Sequence, residues 1–279
     1  MDPIHLRACG TGILVHRDLS GLPDMPDALA PAVRTVDAEL AETGVRLAVT
    51  DHLPLTDLDI GDFGAYRFDA SCGAAWILRP AVRPEWQDEA LWGPLLLHAL
   101  AHRGIYVLHA SAAITPAGQL VAFVADSGVG KSTLARIARG LGWRRVSDDL
   151  LPVAQIHGEI VALPQLHQPK LAAADQYPLD APAALPLRML VHLKRGDACA
   201  LQPAAPRDAL DILLANTVAT RTYAAQTLAE HLAFARAMTI AADGPGLKIC
   251  RGRIASRPAD IEGAAGEFLR LAAQAVASA

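Results

Sequence analysis

The chain alternates between short apolar runs and clusters of turn-forming residues, and that pattern predicts its elements. His5-Leu6-Arg7-Ala8 and Gly12-Ile13-Leu14-Val15 are short strand candidates. Residues 45–49 and 65–69 alternate apolar and polar side chains, as half-buried strands do. A Pro/Asp-rich loop, Leu22-Pro23-Asp24-Met25-Pro26-Asp27, lies between these segments. Residues 85–102 read as one helix that buries Leu91, Leu95, Leu96 and Ala99. Ile105-Tyr106-Val107-Leu108 predicts a strand ending in His109, and Ser111 to Ile114 continues it toward a hairpin that turns at Pro116-Ala117-Gly118. Its partner, Leu120-Val121-Ala122-Phe123-Val124-Ala125, is unbroken in its apolar character, as expected of a strand buried on both faces. Leu134, Ile137, Ala138 and Leu141 then fall at i, i+3, i+4 and i+7, one face of a helix that Gly140 and Gly142 terminate. Arg145-Val146 runs into Ser147-Asp148-Asp149, and Met189-Leu190-Val191-His192-Leu193 is a further strand ending in Lys194-Arg195-Gly196. Residues 207–214, 228–238 and 261–277 read as helices, which makes the last third mostly helical.

These elements predict an α/β fold with a nucleotide-binding core, a smaller N-terminal β-rich domain and a helical C-terminal region. The expected divisions are 1–83 for the β-rich domain, 84–103 for a connecting helix and 104–279 for the core with its helical C-terminal part. At 279 residues the chain can bury one large core or two smaller ones.

Composition narrows the function classes. The chain is 52% hydrophobic and 19% charged with a net charge of −4, and it shows no basic stripe, so nucleic acid is not an expected partner. It has no run of 18 apolar residues, and the stretch from Ala110 to Ala125 is broken by Pro116, Gly118 and Gln119, so no membrane span is expected. The N-terminus lacks a basic-then-apolar signal pattern. Cys9, Cys72, Cys199 and Cys250 are far apart and fit reduced thiols, so the expected location is cytoplasmic. The residues leave the oligomeric state open, a homo-oligomer included.

The candidate chemistry begins at Ala125-Asp126-Ser127-Gly128-Val129-Gly130-Lys131-Ser132-Thr133. This stretch fills every slot of the phosphate-binding loop (P-loop) pattern G-x-x-x-x-G-K-[ST] except the first, where Ala125 replaces glycine. Strand, glycine loop and helix in succession are what the mechanism needs. Successive backbone N–H groups form an anion nest, and the helix N-terminus adds its positive end. Gly128 and Gly130 let the backbone approach phosphates without a Cβ between. Lys131 would reach the β/γ-phosphates of ATP, and the Ser132 hydroxyl would ligate Mg²⁺. The N-K-x-D signature of guanine-specific GTPases is missing, and the best acidic candidate for a Walker B follows Trp143-Arg144-Arg145-Val146-Ser147, which is not the four-residue apolar run of an ordinary one.

Asp148 and Asp149 follow Lys131 by 17 and 18 residues, one helix and one short strand later. That path predicts a place beside the loop, at the carboxyl end of the neighbouring strand of a parallel sheet, where ligands bind. One carboxylate can help hold Mg²⁺ while the other accepts a proton from an attacking hydroxyl. His109, 22 residues before Lys131, is expected on the same sheet edge, where it would contact a phosphate or tune the carboxylate. His98 and His102 have the i, i+4 spacing of a metal pair but no third ligand in the pattern.

Together, His109-Ala110-Ser111, the loop Asp126-Ser127-Gly128-Val129-Gly130-Lys131-Ser132 and Ser147-Asp148-Asp149 resemble the catalytic core of HPr kinase/phosphorylase, over about 45 residues from Ile105 to Asp149. The resemblance implies an HPr kinase-like P-loop kinase domain and transfer of phosphate from ATP to a serine hydroxyl. It assigns Asp149 as proton acceptor, Lys131 to the phosphates, Ser132 to Mg²⁺ with Asp148 beside it, and His109 as assistant. The family's later E-x-R-G-x-G run is missing, with Leu163 to Lys170 in roughly its place, which puts the phosphorylase activity in question and leaves a second metal ligand open, Asp175 being one option. Leu6-Arg7-Ala8-Cys9-Gly10 followed by Asp18-Leu19-Ser20-Gly21-Leu22-Pro23 looks like the start of the HPr kinase-like tailoring enzymes of lasso-peptide biosynthesis. That likeness implies a precursor-peptide partner, phosphorylated on its C-terminal serine and expected near Pro164 to Lys170, with Lys170, Lys194 and Arg195 facing its acidic groups. A kinase of a small-molecule hydroxyl, and a module that binds ATP without transferring phosphate, remain compatible with the same residues.

Overall fold

The computed structural model describes residues 3–278 apart from 18, 20–21, 23–33, 41–44, 52–53, 72, 127, 169–170, 221–222, 224, 243–245 and 257–259. Most of the Pro/Asp-rich loop, along with Asp18, Ser20, Gly21, Cys72, Ser127 and Lys170, therefore lies outside the described residues. The chain is mixed α/β and forms two compact units. One comprises Met1–Ile105 with Ala219–Glu230, the other Tyr106–Val218 with His231–Ala279.

The first unit is built on a seven-stranded sheet. Its strands are β1 (Ile4–Ala8), β2 (Thr11–His16), β3 (Arg34–Leu40), β4 (Val45–Asp51), β5 (Leu55–Asp59), β6 (Ala65–Asp69) and β7 (Ala74–Arg79), in the order β1-β2-β7-β6-β5-β4-β3. All neighbours are antiparallel except β2 and β7. Strand alternation buries Ile13 and Val15 on β2 and Tyr66 and Phe68 on β6. Cys9 and Gly10 link β1 to β2 with positive φ at both positions (55° and 72°), the backbone of a tight hairpin turn that matches strand twist.

The helix expected over 85–102 is interrupted. It divides into α1 (Pro84–Ala90), a wide turn over Leu91–Leu95, and α2 (Leu96–Ala101). Gly93 leaves helical geometry, and Pro94 has no N–H to continue the ladder. The apolar face survives the break, and Leu91, Leu95, Leu96 and Ala99 are all buried. α2 also places His98 edge-on to Phe68 and brings its Nε2 within 3.0 Å of the His102 Nε2. Among the described residues no third His, Cys, Asp or Glu joins this pair to complete a metal-binding group.

The second unit holds β8 (Tyr106–Ile114), β9 (Leu120–Val124), α3 (Lys131–Gly140), β10 (Arg144–Ser147), β11 (Leu150–Ile156), β12 (Glu159–Ala162), β13 (Leu185–Gly196), β14 (Ala200–Pro203), α4 (Pro206–Asn216), α5 (Ala225–Ala242, from His231 onward), β15 (Lys248–Ala255) and α6 (Ile261–Ala277). β9 lies between β8, antiparallel, and β13, parallel. β15 extends the sheet parallel to β13. β9 is buried on both faces because helices cover both. Val121 and Phe123 pack with Leu134, Ala138 and Phe268 of α3 and α6. Leu120, Ala122 and Val124 pack on the other side with Leu213 and Met238 of α4 and α5. The last third is less helical than its pattern suggests, because β14 and β15 lie within it. Gly252 interrupts the apolar alternation of β15. A Cβ there would come within 2.6 Å of the Phe268 ring, so glycine is what lets α6 lie against the strand. Among the described residues no helix is long and apolar enough to cross a membrane.

Burial, and secondarily the adjacent His102, push the His98 pKa down from 6.5 to about 3. Between those values the unfolded chain takes up a proton that the folded chain refuses, so stability falls as pH drops through that window. The slope is at most about 1.4 kcal/mol per pH unit from this group. A His98→Gln variant is expected to lose that part of the slope in denaturant unfolding between pH 6 and pH 4, and an unchanged slope would count against the assignment.

Candidate functional site

The site forms where β9 ends and α3 begins. The loop between them turns through two glycines in the left-handed region, Gly128 at φ 79° and Gly130 at φ 113°. A side chain at either position would strain the turn. Gly130 is the N-cap of α3 and brings no side chain to cap the helix, so the first-turn N–H groups face outward without a side-chain acceptor from that position. Asp126 accepts a backbone bond from Val129 through its carbonyl at 3.4 Å, which closes the loop on itself. Lys131 opens α3 and is buried. Its Nζ donates to the Ala125 carbonyl at 2.6 Å, so the ammonium folds back across the loop mouth. Ser132 and Thr133 occupy the next two positions of the helix.

The aspartates arrive by a different route from the one expected. β10 does not lie beside β9. It pairs antiparallel with β8, which stands between them. The sheet is mixed here, because the hairpin that feeds the loop strand reverses direction and occupies the neighbouring place. β10 nevertheless runs the same way as β9, so the aspartates still reach the loop end of the sheet. Ala110 bridges the two. Its N–H donates to the Asp149 carbonyl at 3.1 Å, and on its other edge it pairs with Val124. Two strand spacings put the Asp149 backbone roughly 10 Å from Val124.

His109 is the fourth residue of β8 rather than its end. His109 and Ser111 are two apart on one strand and so project from the same face. Each engages one aspartate. His109 Nε2 lies 3.1 Å from Asp149 Oδ1, with both side chains partly exposed. The Ser111 hydroxyl is buried, donates to the Asp148 carbonyl at 2.8 Å and lies 3.3 Å from Asp148 Oδ1. Ser147 closes the turn by donating to the Leu150 carbonyl at 2.8 Å. The two carboxylates thus have different partners.

Two residues at this end of the sheet went unread as site residues in the sequence. Gln168 is buried and behaves like a strand neighbour of Leu150. Its Nε2 donates to the Leu150 carbonyl at 2.8 Å, and its Oε1 accepts from the Leu150 N–H at 3.3 Å. Gln176 holds Gln168 in turn through bonds of 2.9 and 2.8 Å to its backbone. The segment considered for peptide contact therefore also braces the residue after Asp149. Gln165 and Gln168 both lie between Pro164 and Pro169, and no pattern there announces which of them braces Leu150. His192 stands opposite Val124 on β13. Burial first, then the Lys194 charge, hold it below the ordinary histidine range against the opposing pull of Asp126. Burial thus disfavours the charged form of the imidazole that flanks the loop.

Asp175 is placed elsewhere. It accepts from Arg139 and Arg145, each at 3.2 Å, at the C-terminal end of α3. That is roughly 12 Å along the helix from Lys131, too far to join a metal at the loop. Arg195 extends from β13 over Gly130, its guanidinium 3.9 Å from where a Cβ would stand, and borders a cavity of about 220 Å³ beside the loop.

No family model matches the chain, and no curated protein matches it. Among solved structures, that of the Hpr(Ser) kinase/phosphatase from Coxiella burnetii is similar over 62% of this chain and 93% of that chain, at 10% identity and a TM-score of 0.34.

Replacing Gln168 with leucine removes the side-chain partner of the Leu150 N–H and leaves the Leu150 carbonyl to the Ser147 hydroxyl. The expected loss is about 1–3 kcal/mol in chemical denaturation. A loss below about 0.5 kcal/mol, within the ordinary range of surface substitutions, would show that water or neighbours replace the brace.

Proposed function

We propose that this chain is an ATP- and Mg²⁺-dependent kinase, a phosphotransferase that moves phosphate to a serine hydroxyl of a peptide. The observation that carries the reading is the meeting of two features at one end of one sheet. These are a glycine loop whose backbone and buried Lys131 suit an anion, and a His109–Asp149 pair 3.1 Å apart one strand away. An uncapped helix start and a lysine drawn over it form a phosphate cradle in both charge and shape.

In this reading Asp126 to Thr133 hold the nucleotide, with Ser127 among them, and Lys131 swings from the Ala125 carbonyl to the phosphates. Asp149 accepts the proton of the acceptor hydroxyl. The Nε2–H of His109 donates to Asp149 Oδ1 and keeps the other carboxylate oxygen directed at the substrate. Asp148, oriented by Ser111, and the Ser132 hydroxyl would hold Mg²⁺, which when bound neutralises charge on the phosphates. Lys194 and Arg195 at the end of β13 add positive charge on the loop's other side. The sequence resemblance favours as acceptor the C-terminal serine of a precursor peptide of the lasso-peptide kind.

Transfer of labelled γ-phosphate from ATP to serine-terminated peptides tests the reading. Asp149→Asn is expected to keep nucleotide affinity within a few-fold and to lose at least about a hundredfold in transfer, the lower range for a positioned general base. Unimpaired transfer by Asp149→Asn would remove Asp149 from the proton step. Lys131→Ala is expected to weaken both binding and transfer, and wild-type values for both would refute the loop assignment.

A further inference from the structure

The loop has two flanks. On one lie β8 and the aspartates; on the other lies the cavity of about 220 Å³. It is lined by the end of the loop and the start of α3, with Val129, Gly130, Thr133 and Leu134, and by the end of β15 and the start of α6, with Ile254 and Ile261. Ile261 is 53% exposed, so a flat apolar ligand lying on it would bury aliphatic surface. Arg195 forms the edge nearest Gly130, between the cavity and the loop. The Ser256 N–H is committed to the Gly196 carbonyl at 2.8 Å, which ties the ends of β13 and β15 together and fixes the wall.

From this arrangement we infer that the cavity receives the base and sugar of the phosphate donor, and that it takes purines with little regard to which purine. The inference rests on the kinase reading above. Phosphates seated on the loop amides would bring the nucleoside within reach of the aliphatic cavity beside Thr133, on the β13 flank away from the aspartates. The planar Arg195 guanidinium suits a position against the ring face or the α-phosphate. Among the described residues, the hydrogen-bonding side chains on the lining are Thr133, Ser256 and Arg195. An aliphatic slot holds a ring by area and dispersion, and it separates ring systems of similar shape by little, whereas strong discrimination needs buried polar groups built to pair with the ring substituents. Arg195, considered from sequence as a contact for the acceptor peptide, belongs on this account to the donor side.

The test is calorimetric binding of the full chain, with Mg²⁺ present, to tripolyphosphate, ATP and GTP. Tripolyphosphate is expected to bind through the loop alone. ATP and GTP are expected to bind at least about tenfold more tightly than tripolyphosphate and within about tenfold of one another. Ile261→Asn, at an exposed site, and Ile254→Thr, which keeps β-branching in the strand, are each expected to weaken ATP and GTP by about threefold to tenfold and to leave tripolyphosphate unchanged. Tripolyphosphate binding as tightly as the nucleotides would overturn the cavity assignment while leaving the loop reading intact. So would wild-type nucleotide affinity in both variants. An ATP-to-GTP ratio above about a hundredfold would overturn the claim of weak discrimination. Failure of all three ligands to bind would overturn the loop reading and this inference with it.

Discussion

The hydrogen bonding of one strand organises the second unit. Tyr106–Ile114 pairs with three others: its first half with β11, its second half with β9 on one edge and β10 on the other. This shared use brings three separate segments to one end of the sheet, namely the strand that feeds the glycine loop, the strand that delivers Asp148 and Asp149, and His109 with Ser111 from β8 itself. The pairings also return on themselves, from β8 through β11, β12, β13 and β9 back to β8. A strand tied on every side has little freedom to shift register. Because strand side chains repeat every two residues, a one-residue slip would turn both His109 and Ser111 away from their aspartates.

The loop supplies the complementary constraint, set by backbone rather than side chain. Gly128 and Gly130 take up conformations that other residues adopt only under strain, and the helix they introduce begins without a side-chain cap. Gly130 brings no capping side chain to that helix end, and the buried Lys131 ammonium bonds to the Ala125 carbonyl. In a typical helix the first-turn N–H donors are satisfied by a Ser, Thr, Asp or Asn cap. In the kinase reading proposed above, this start behind two left-handed glycines is where the phosphates sit.

Much of this could be read from the pattern of residues, because the strongest signals were local. The apolar run of β9, the helical face of α3 and the turn at 116–118 depend on neighbours in sequence, and the structure has each of them there. The α/β class follows from the same signals. Spatial relations were less legible. The expectation of a parallel neighbour for the loop strand on the aspartate side assumed a simple strand–helix–strand return, whereas a hairpin had already filled that place. β15 was missed because Gly252 breaks its alternation, and the reason for that glycine, the Phe268 ring across from it, is distant in sequence. The kink at Gly93-Pro94 was visible in the residues, yet the apolar face continues through it and conceals the break. Gln168 was invisible for a physical reason, since a side chain that imitates a strand neighbour belongs to no periodic pattern.

If the loop and the aspartate turn belong to one site that holds one substrate assembly, amide hydrogen exchange with and without Mg²⁺ and ATP reads both segments at once. Slowed exchange is expected over residues 126–134 and, in the same experiment, over 109–111 and 147–150. Protection confined to a region away from the loop, or none in either segment at saturating nucleotide, would contradict it.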